Sequence, residues 1–235
     1  MRLETNKEKL IPVVNSTTGI IDKPTIHIVH ILDGSGSMSS YMGKSKFDSA
    51  RDGMLEEINM LKKDKTVNYL YSIIEFDDTT RIKEICYKEK IENIEFSKLP
   101  WFTPSGCTAL YDAVGFTLSK IKSDSTNKKV LVKIFTDGGE NASEKHSSKS
   151  VRELIEYCKN MGYVITFIGT GSDVRRIQDN LKIDSSNTLT HDNTSRGVKS
   201  AFQTINAATI NYSKCVVDGV DSTIGFFDNS SNNTK

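Results

Sequence analysis

The sequence carries no cysteine pair, no membrane-length apolar run and no excess of one charge, and each absence narrows what the chain can be. Its four cysteines, Cys86, Cys107, Cys158 and Cys215, lie far apart, with no Cys-x-x-Cys spacing and no His-x₃₋₅-His accompanying them. A zinc site or disulfide framework does not follow from such a pattern; scattered free thiols of a reducing compartment do. No stretch approaches the roughly 20 apolar residues needed to span a bilayer. Lys and Arg number 31 against 30 Asp and Glu, for a net charge of +1, so no overall field favours a nucleic-acid or membrane partner. The start, MRLETNKEKLIPVV, sets charges on both sides of a very short apolar patch. It lacks the apolar core and small-residue cleavage site of a secretory leader, and the chain is expected to stay in the cytoplasm. Gly43-Lys44-Ser45 is a Gly-Lys-Ser tripeptide, but Met38 stands where the first glycine of Gly-x₄-Gly-Lys-Ser/Thr would be, so the complete phosphate loop of a P-loop nucleotidase is not present.

What is present is an alternation of apolar strands and amphipathic helices across 235 residues, 37% of them hydrophobic, enough for one α/β domain with a sizeable core. Ile26 to Leu32 is nearly all apolar, as a strand buried on both faces should be. A helix follows from about Lys46 to Lys63, with Phe47, Ala50, Met54, Ile58 and Leu61 at helical spacing and Ser45 with Asp48 resembling a capping box. Val67 to Phe76 is a second strand. The turn Asp77-Asp78-Thr79-Thr80 leads to a more polar strand, Arg81 to Tyr87, which reads as an antiparallel edge. Helix two covers about Thr108 to Lys122, strand four Val130 to Thr136, helix three Ser148 to Met161 and strand five Tyr163 to Gly169. A short helix near Asp173 to Leu181, a short strand at Thr188 to His191 and a last helix from Ser195 to Tyr212 complete the pattern. The expected fold is α/β: a three-layer, doubly wound, Rossmann-like sheet, mostly parallel, with one antiparallel edge strand. It spans residues 25–212, between an N-terminal arm (1–24) and a C-terminal tail (213–235). Both arms carry apolar clusters, including Ile20 and Ile21 in one and Phe226 and Phe227 in the other. These suggest docking, on the domain itself or on a neighbour.

Ligands of parallel α/β sheets bind at the carboxyl ends of the strands, near the point where strand order reverses. Three polar loops fall at such ends. Asp33-Gly34-Ser35-Gly36-Ser37 follows strand one, Ser105-Gly106-Cys107-Thr108 precedes helix two, and Thr136-Asp137-Gly138-Gly139-Glu140 follows strand four. They bring two carboxylates, Asp33 and Asp137, and three hydroxyls, Ser35, Ser37 and Thr108, toward one place. All offer hard oxygen, suited to Mg²⁺ or Mn²⁺ and not to zinc or copper. As a structural alternative, Asp33, Ser35 and Ser37 simply cap and turn their loop.

The pattern Asp33-x-Ser35-x-Ser37, with Thr108 and the later Thr-Asp-Gly at Asp137, resembles the metal-ion-dependent adhesion site of von Willebrand factor A domains. The resemblance covers about residues 25 to 212, and within the family the chain resembles the small stand-alone bacterial or bacteriophage type. Cys107 is a departure, since a small residue usually precedes the threonine. The resemblance implies that Ser35 and Ser37 bind the metal directly and Thr108 directly or through water. Asp33 and Asp137 would act largely through waters and by orienting the hydroxyls. Neutral hydroxyl ligands leave the cation's charge poorly quenched, so an outside carboxylate is favoured at the open position. The expected function is a non-enzymatic protein-binding module, Mg²⁺-dependent, whose protein partner presents Asp or Glu. A second reading is a structural or accessory subunit of a larger assembly, such as a bacteriophage virion, with its arms docking.

Other signals are weaker. A haloacid-dehalogenase phosphatase needs Asp-x-Asp after strand one, and here Ser35 takes the second place. A metal-assisted hydrolase lacks an evident base. Gly169-Thr-Gly171-Ser-Asp-Val174 begins like a dinucleotide loop but follows the fifth strand and lacks the third glycine. His27 and His30 read as core histidines, His146 as a solvated loop residue or a rim contact for a partner, and Trp101 with Phe102 as core anchors or an exposed aromatic lip. Glu140 either tunes the field of the candidate site or caps the next turn.

Overall fold

The computed structural model describes residues 23–40, 43–124, 129–220 and 222–228. Most of the N-terminal arm and the polar end beyond residue 228 lie outside them. The strands are β1 (Thr25–Asp33), β2 (Asn68–Phe76), β3 (Ile82–Lys90), β4 (Lys129–Phe135), β5 (Val164–Gly169) and β6 (Thr188–Thr190). The helices are α1 (Lys46–Leu61), α2 (Leu110–Ser123), α3 (Ser148–Asn160), α4 (Gly171–Leu181) and α5 (Ser195–Val217). One sheet runs in the order β3-β2-β1-β4-β5-β6. Only the β2–β3 pair is antiparallel, which places the polar strand at the edge as its composition implies.

Alternate residues of the central strands face opposite layers, the period-two rule acting on a sheet covered on both sides. Val29 and Ile31 of β1 join Val130, Val132 and Ile134 of β4 in packing against α2, α3 and α4. Leu32, Leu131 and Phe135 point the other way, into a cluster with α1 and α5. The third cluster lies under the other end of α1, where Ile58 and Leu61 meet Ile26, Ile28, Tyr69 and Tyr71.

The face under α1 and α5 holds a buried ionic network. Glu57 accepts from His30 Nε2 (2.7 Å), Tyr71 Oη (2.8 Å) and Thr209 Oγ1 (2.9 Å), and pairs with the Lys133 ammonium. Burial alone would raise the Glu57 carboxyl, but Lys133 and then His30 overcome it and hold the group well below the usual carboxylate range. His30 is thus a satisfied core histidine. His27 is a core histidine too, but only half satisfied: its Nε2 lies 2.8 Å from Ser72 Oγ, while its buried Nδ1 meets no hydrogen-bond partner.

Two boundaries move outward from the sequence reading by three residues or more. Helix α5 runs on past Tyr212 to Val217, because Ser213 is buried with its hydroxyl donating to the Thr209 carbonyl at 3.0 Å and therefore does not interrupt it. Strand β3 continues to Lys90 through a register shift and a left-handed Lys88 (φ 52°), a shape that apolar periodicity does not signal. At the start of α1, Ser45 Oγ accepts from Asp48 N (2.9 Å) and donates to the Asp48 carboxylate (2.7 Å). The cap is real but the reciprocal half of a capping box is replaced by a side-chain contact.

Candidate metal centre

Strand order reverses around β1, whose neighbours β2 and β4 lead in opposite directions. The carboxyl ends of β1 and β4 therefore form a crevice, and the three predicted loops gather there. Backbone bonds stitch them together. Gly34 N donates to Phe76 O (2.6 Å), Ser105 N to Gly34 O (2.9 Å), Gly36 N to Gly106 O (3.2 Å) and Asn141 N to Thr108 O (3.1 Å). Asn141 closes that last contact from its side chain, with Oδ1 accepting from Thr108 N at 2.8 Å.

Asp33 ends β1 fully buried. Its Oδ1 accepts from Ser35 N at 2.7 Å, and its Oδ2 accepts from the Thr136 hydroxyl. Burial pushes the Asp33 carboxyl up to about 6, against the pull of the Thr136 and Ser35 hydrogen bonds and with a smaller upward push from Asp137. From Ser35 a chain of hydroxyls crosses to the second loop: Ser35 Oγ lies 3.1 Å from Ser37 Oγ, and Ser37 Oγ donates to Asp137 Oδ1 at 2.6 Å. Thr108 joins from the third side. A Cβ at Gly138 would lie 3.6 Å from Ser37 Oγ and 3.7 Å from Thr108 Oγ1, so these hydroxyls face each other across a residue without a side chain. Asp33, Ser35, Thr108 and Asp137 are buried while Ser37 is exposed, which opens the cluster to solvent on one side.

The donor set fits a hard divalent cation. Its oxygens come from hydroxyls and carboxylates, with no nitrogen or sulfur among them. Among the described residues, no three His, Cys, Asp or Glu side chains cluster as metal ligands; the candidate set holds two carboxylates, Asp33 and Asp137, and three hydroxyls. Asp137 Oδ2 is buried and accepts no hydrogen bond; what faces it is the Lys46 ammonium, as an ion pair. A positive charge is thus already held against this carboxylate.

Several residues around the cluster have settled roles. Glu140 does not face it. Its carboxylate accepts from Tyr111 N (2.9 Å), Ala142 N (2.9 Å) and Ser143 N (2.7 Å), capping its own turn and the start of α2. Asp112 does the same for the following loop, accepting from the backbone of Glu144, Lys145 and His146. His146 is half-buried against α2, where a Cβ at Gly115 would strike its ring at 2.4 Å, and is not a freely solvated loop residue. Trp101 is a core anchor, packed edge-on to Phe47 and under the Arg51 guanidinium. Phe102 lies under Arg81.

Sequence reasoning missed Lys46, the clamp of Thr136 on Asp33, and the brace formed by Arg81 on Asp77 beneath the Gly106 turn. It also missed Arg176, which lies so close over Gly139 that a Cβ there would fall 1.9 Å from its Nη2. Lys46 carried no signal beyond being the first residue of a helix, since its partner lies in a loop far along the chain.

No model of a known protein family matches this sequence, and no curated protein matches it. Solved structures do match the fold. Proximal thread matrix protein 1 from the mussel byssus, in a form with a zinc-occupied MIDAS motif, aligns with a TM-score of 0.60 at 17% identity, covering 83% of this chain and 46% of that one. The PilB minor pilin from Streptococcus sanguinis aligns at 0.56 and 13% identity over 86% of this chain and 63% of that one. The SpRpn10 VWA domain aligns at 0.52 and 12% identity over 78% and 95%. The chain spans about half the length of the mussel protein it matches. The shared fold is that of von Willebrand factor A domains: a six-stranded, mostly parallel sheet with one antiparallel strand, flanked by five helices.

Proposed function

We propose that this chain is a non-enzymatic protein-binding module that holds Mg²⁺ or Mn²⁺ with Asp33, Ser35, Ser37, Thr108 and Asp137 and engages a carboxylate of its partner. The observation that carries the reading is the hydroxyl chain from Ser35 through Ser37 to Asp137, which ties two loops a hundred residues apart on the open side of the strand-end crevice. Ser35 and Ser37 would be direct donors, and Thr108 a donor directly or through water. Asp137 holds the Ser37 hydroxyl and Asp33 holds the Ser35 backbone, so each carboxylate orients its neighbour. When bound, the metal would supply a charge that these neutral donors quench only in part, and a partner Asp or Glu would complete the shell. Two of the solved structures with this fold are a zinc-occupied MIDAS protein and a pilin, which supports the reading by analogy of fold.

The second reading, a scaffold whose arms dock on an assembly, loses one support. Phe226 and Phe227 are buried in this chain's own core cluster with α1 and α5. The corresponding N-terminal residues lie outside those described.

Calorimetric titration with MgCl₂ and MnCl₂ tests the proposal. Saturable binding is expected, with its loss in Asp33→Ala and in Ser37→Ala. Binding that survives both substitutions would place the metal elsewhere, and no binding by the wild type would mean that the unmodified chain does not hold the ion on its own.

A further inference from the structure

Lys46 is the first residue of α1, and its side chain leaves the helix to enter the loop cluster. Its ammonium pairs with the buried Asp137 Oδ2 and donates to Asn193 Oδ1 at 2.6 Å, with only 14% of the side chain exposed. Asn193 lies just before Thr194, the N-cap residue of α5. One lysine therefore links α1, the Asp137 loop and the loop entering α5.

A lysine ammonium is a compact, strongly hydrated point charge on a flexible stem. Placed against a buried carboxylate it repays that group's desolvation, much as a metal ion would. Two cations cannot share Asp137 Oδ2 and its surroundings cheaply, because at a few ångströms their repulsion in a half-buried setting exceeds thermal energy several-fold. The other carboxylate oxygens of the cluster already accept hydrogen bonds, Asp33 Oδ1 from Ser35 N, Asp33 Oδ2 from the Thr136 hydroxyl and Asp137 Oδ1 from Ser37, so Asp137 Oδ2 is the carboxylate oxygen a metal-bound water would seek.

We propose that Lys46 is a built-in competitor of the metal: a tethered cation that neutralises Asp137 in the metal-free protein and must swing away, releasing Asn193, for a divalent ion to settle. The inference rests on the metal-site reading above and adds its regulation. The site is held closed by charge from within the chain, and metal occupancy is coupled through Asn193 to the loop that enters α5. A high metal concentration, or a partner carboxylate that takes over the Lys46 ammonium, would open it. Binding of partner and metal would then be mutually reinforcing.

The experiment compares Mn²⁺ and Mg²⁺ titrations of the wild-type chain, Lys46→Met and Lys46→Arg. Lys46→Met keeps the length and packing of the stem and removes the charge, whereas Lys46→Arg keeps the charge. Metal affinity is expected to rise roughly tenfold or more in Lys46→Met and to stay near wild type in Lys46→Arg. If Lys46→Met does not fold, Lys46→Gln replaces it. A second readout follows the amine itself: acetylation of Lys46 in the wild type, measured by mass spectrometry, should increase several-fold when Mn²⁺ is added. Equal metal affinity of wild type and Lys46→Met overturns the inference and leaves the metal site standing. Binding by Lys46→Met alone upholds the inference and makes the wild-type site latent. Binding by neither protein overturns both.

Discussion

His27 illustrates how a single buried side chain sets a property of the whole. It sits fully buried in β1 with Nε2 on Ser72. Burial, helped by Lys88 and opposed by Asp124, lowers its pKa to about 4. The unfolded chain protonates this ring near its ordinary 6.5, whereas the folded protein resists until about 4. Acid therefore favours the unfolded state across that window, and stability rises with pH through it. The contribution at stake is about 3 kcal/mol. His27→Gln, which can keep the Ser72 contact, should lose correspondingly less stability than wild type between pH 6.5 and 4 in urea titrations. Identical pH slopes for the two proteins would assign the acid sensitivity to other groups. Residues of this kind were legible in the sequence as core histidines, because they stand in a strand that is otherwise apolar. Their partners were not, since Ser72 and Glu57 meet them only through the packing of β2 and α1.

Among the helix pairs, α1 and α5 pack most intimately, and Gly53 sits at their contact. A Cβ at Gly53 would fall 2.3 Å from the Phe202 ring and 2.4 Å from its Cβ. Those atoms lie close to the α5 backbone and cannot swing aside. Gly53→Ala gains helix propensity in α1 of about 1 kcal/mol, but the overpacking it forces costs more. A net loss of roughly 1–2 kcal/mol is expected in chemical denaturation. A stabilised variant would show that the helices can separate freely. The strands and helices themselves were readable from periodicity, and Asp33, Ser35, Ser37, Thr108 and Asp137 from the rule that parallel sheets bind ligands at their strand ends. What escaped was non-local. Helix α4 begins at Gly171 and not Asp173 because Thr170 takes the N-cap position and its hydroxyl reaches Asp173. Lys46 and Thr136 act across the crevice, where no local spacing betrays them.

For the molecule as a whole, residues 222–228 close the structure. Phe227 N donates to Ser186 O (3.0 Å) and Phe226 N to Asn187 Oδ1 (3.0 Å), while Asn187 Nδ2 donates to Thr223 O (2.6 Å). The two phenylalanine rings, 6% and 8% exposed, cover the cluster between the sheet and α5. Phe226→Ala should cost about 3 kcal/mol, or on the order of 10 °C in the thermal midpoint. A midpoint unchanged within error would mean that the tail is not part of the cooperative unit. The strand order has a further consequence, for the time before this unit exists. Strand β1 is the first strand among the described residues yet occupies the middle of the sheet, and its second edge is sealed by β4, at residues 129–135. During synthesis a nearly all-apolar strand therefore waits with an open edge while the intervening hundred or so residues leave the ribosome. That interval, and not the finished protein, is when residues 26–32 are exposed to wrong pairing with another copy and when a chaperone has most to protect.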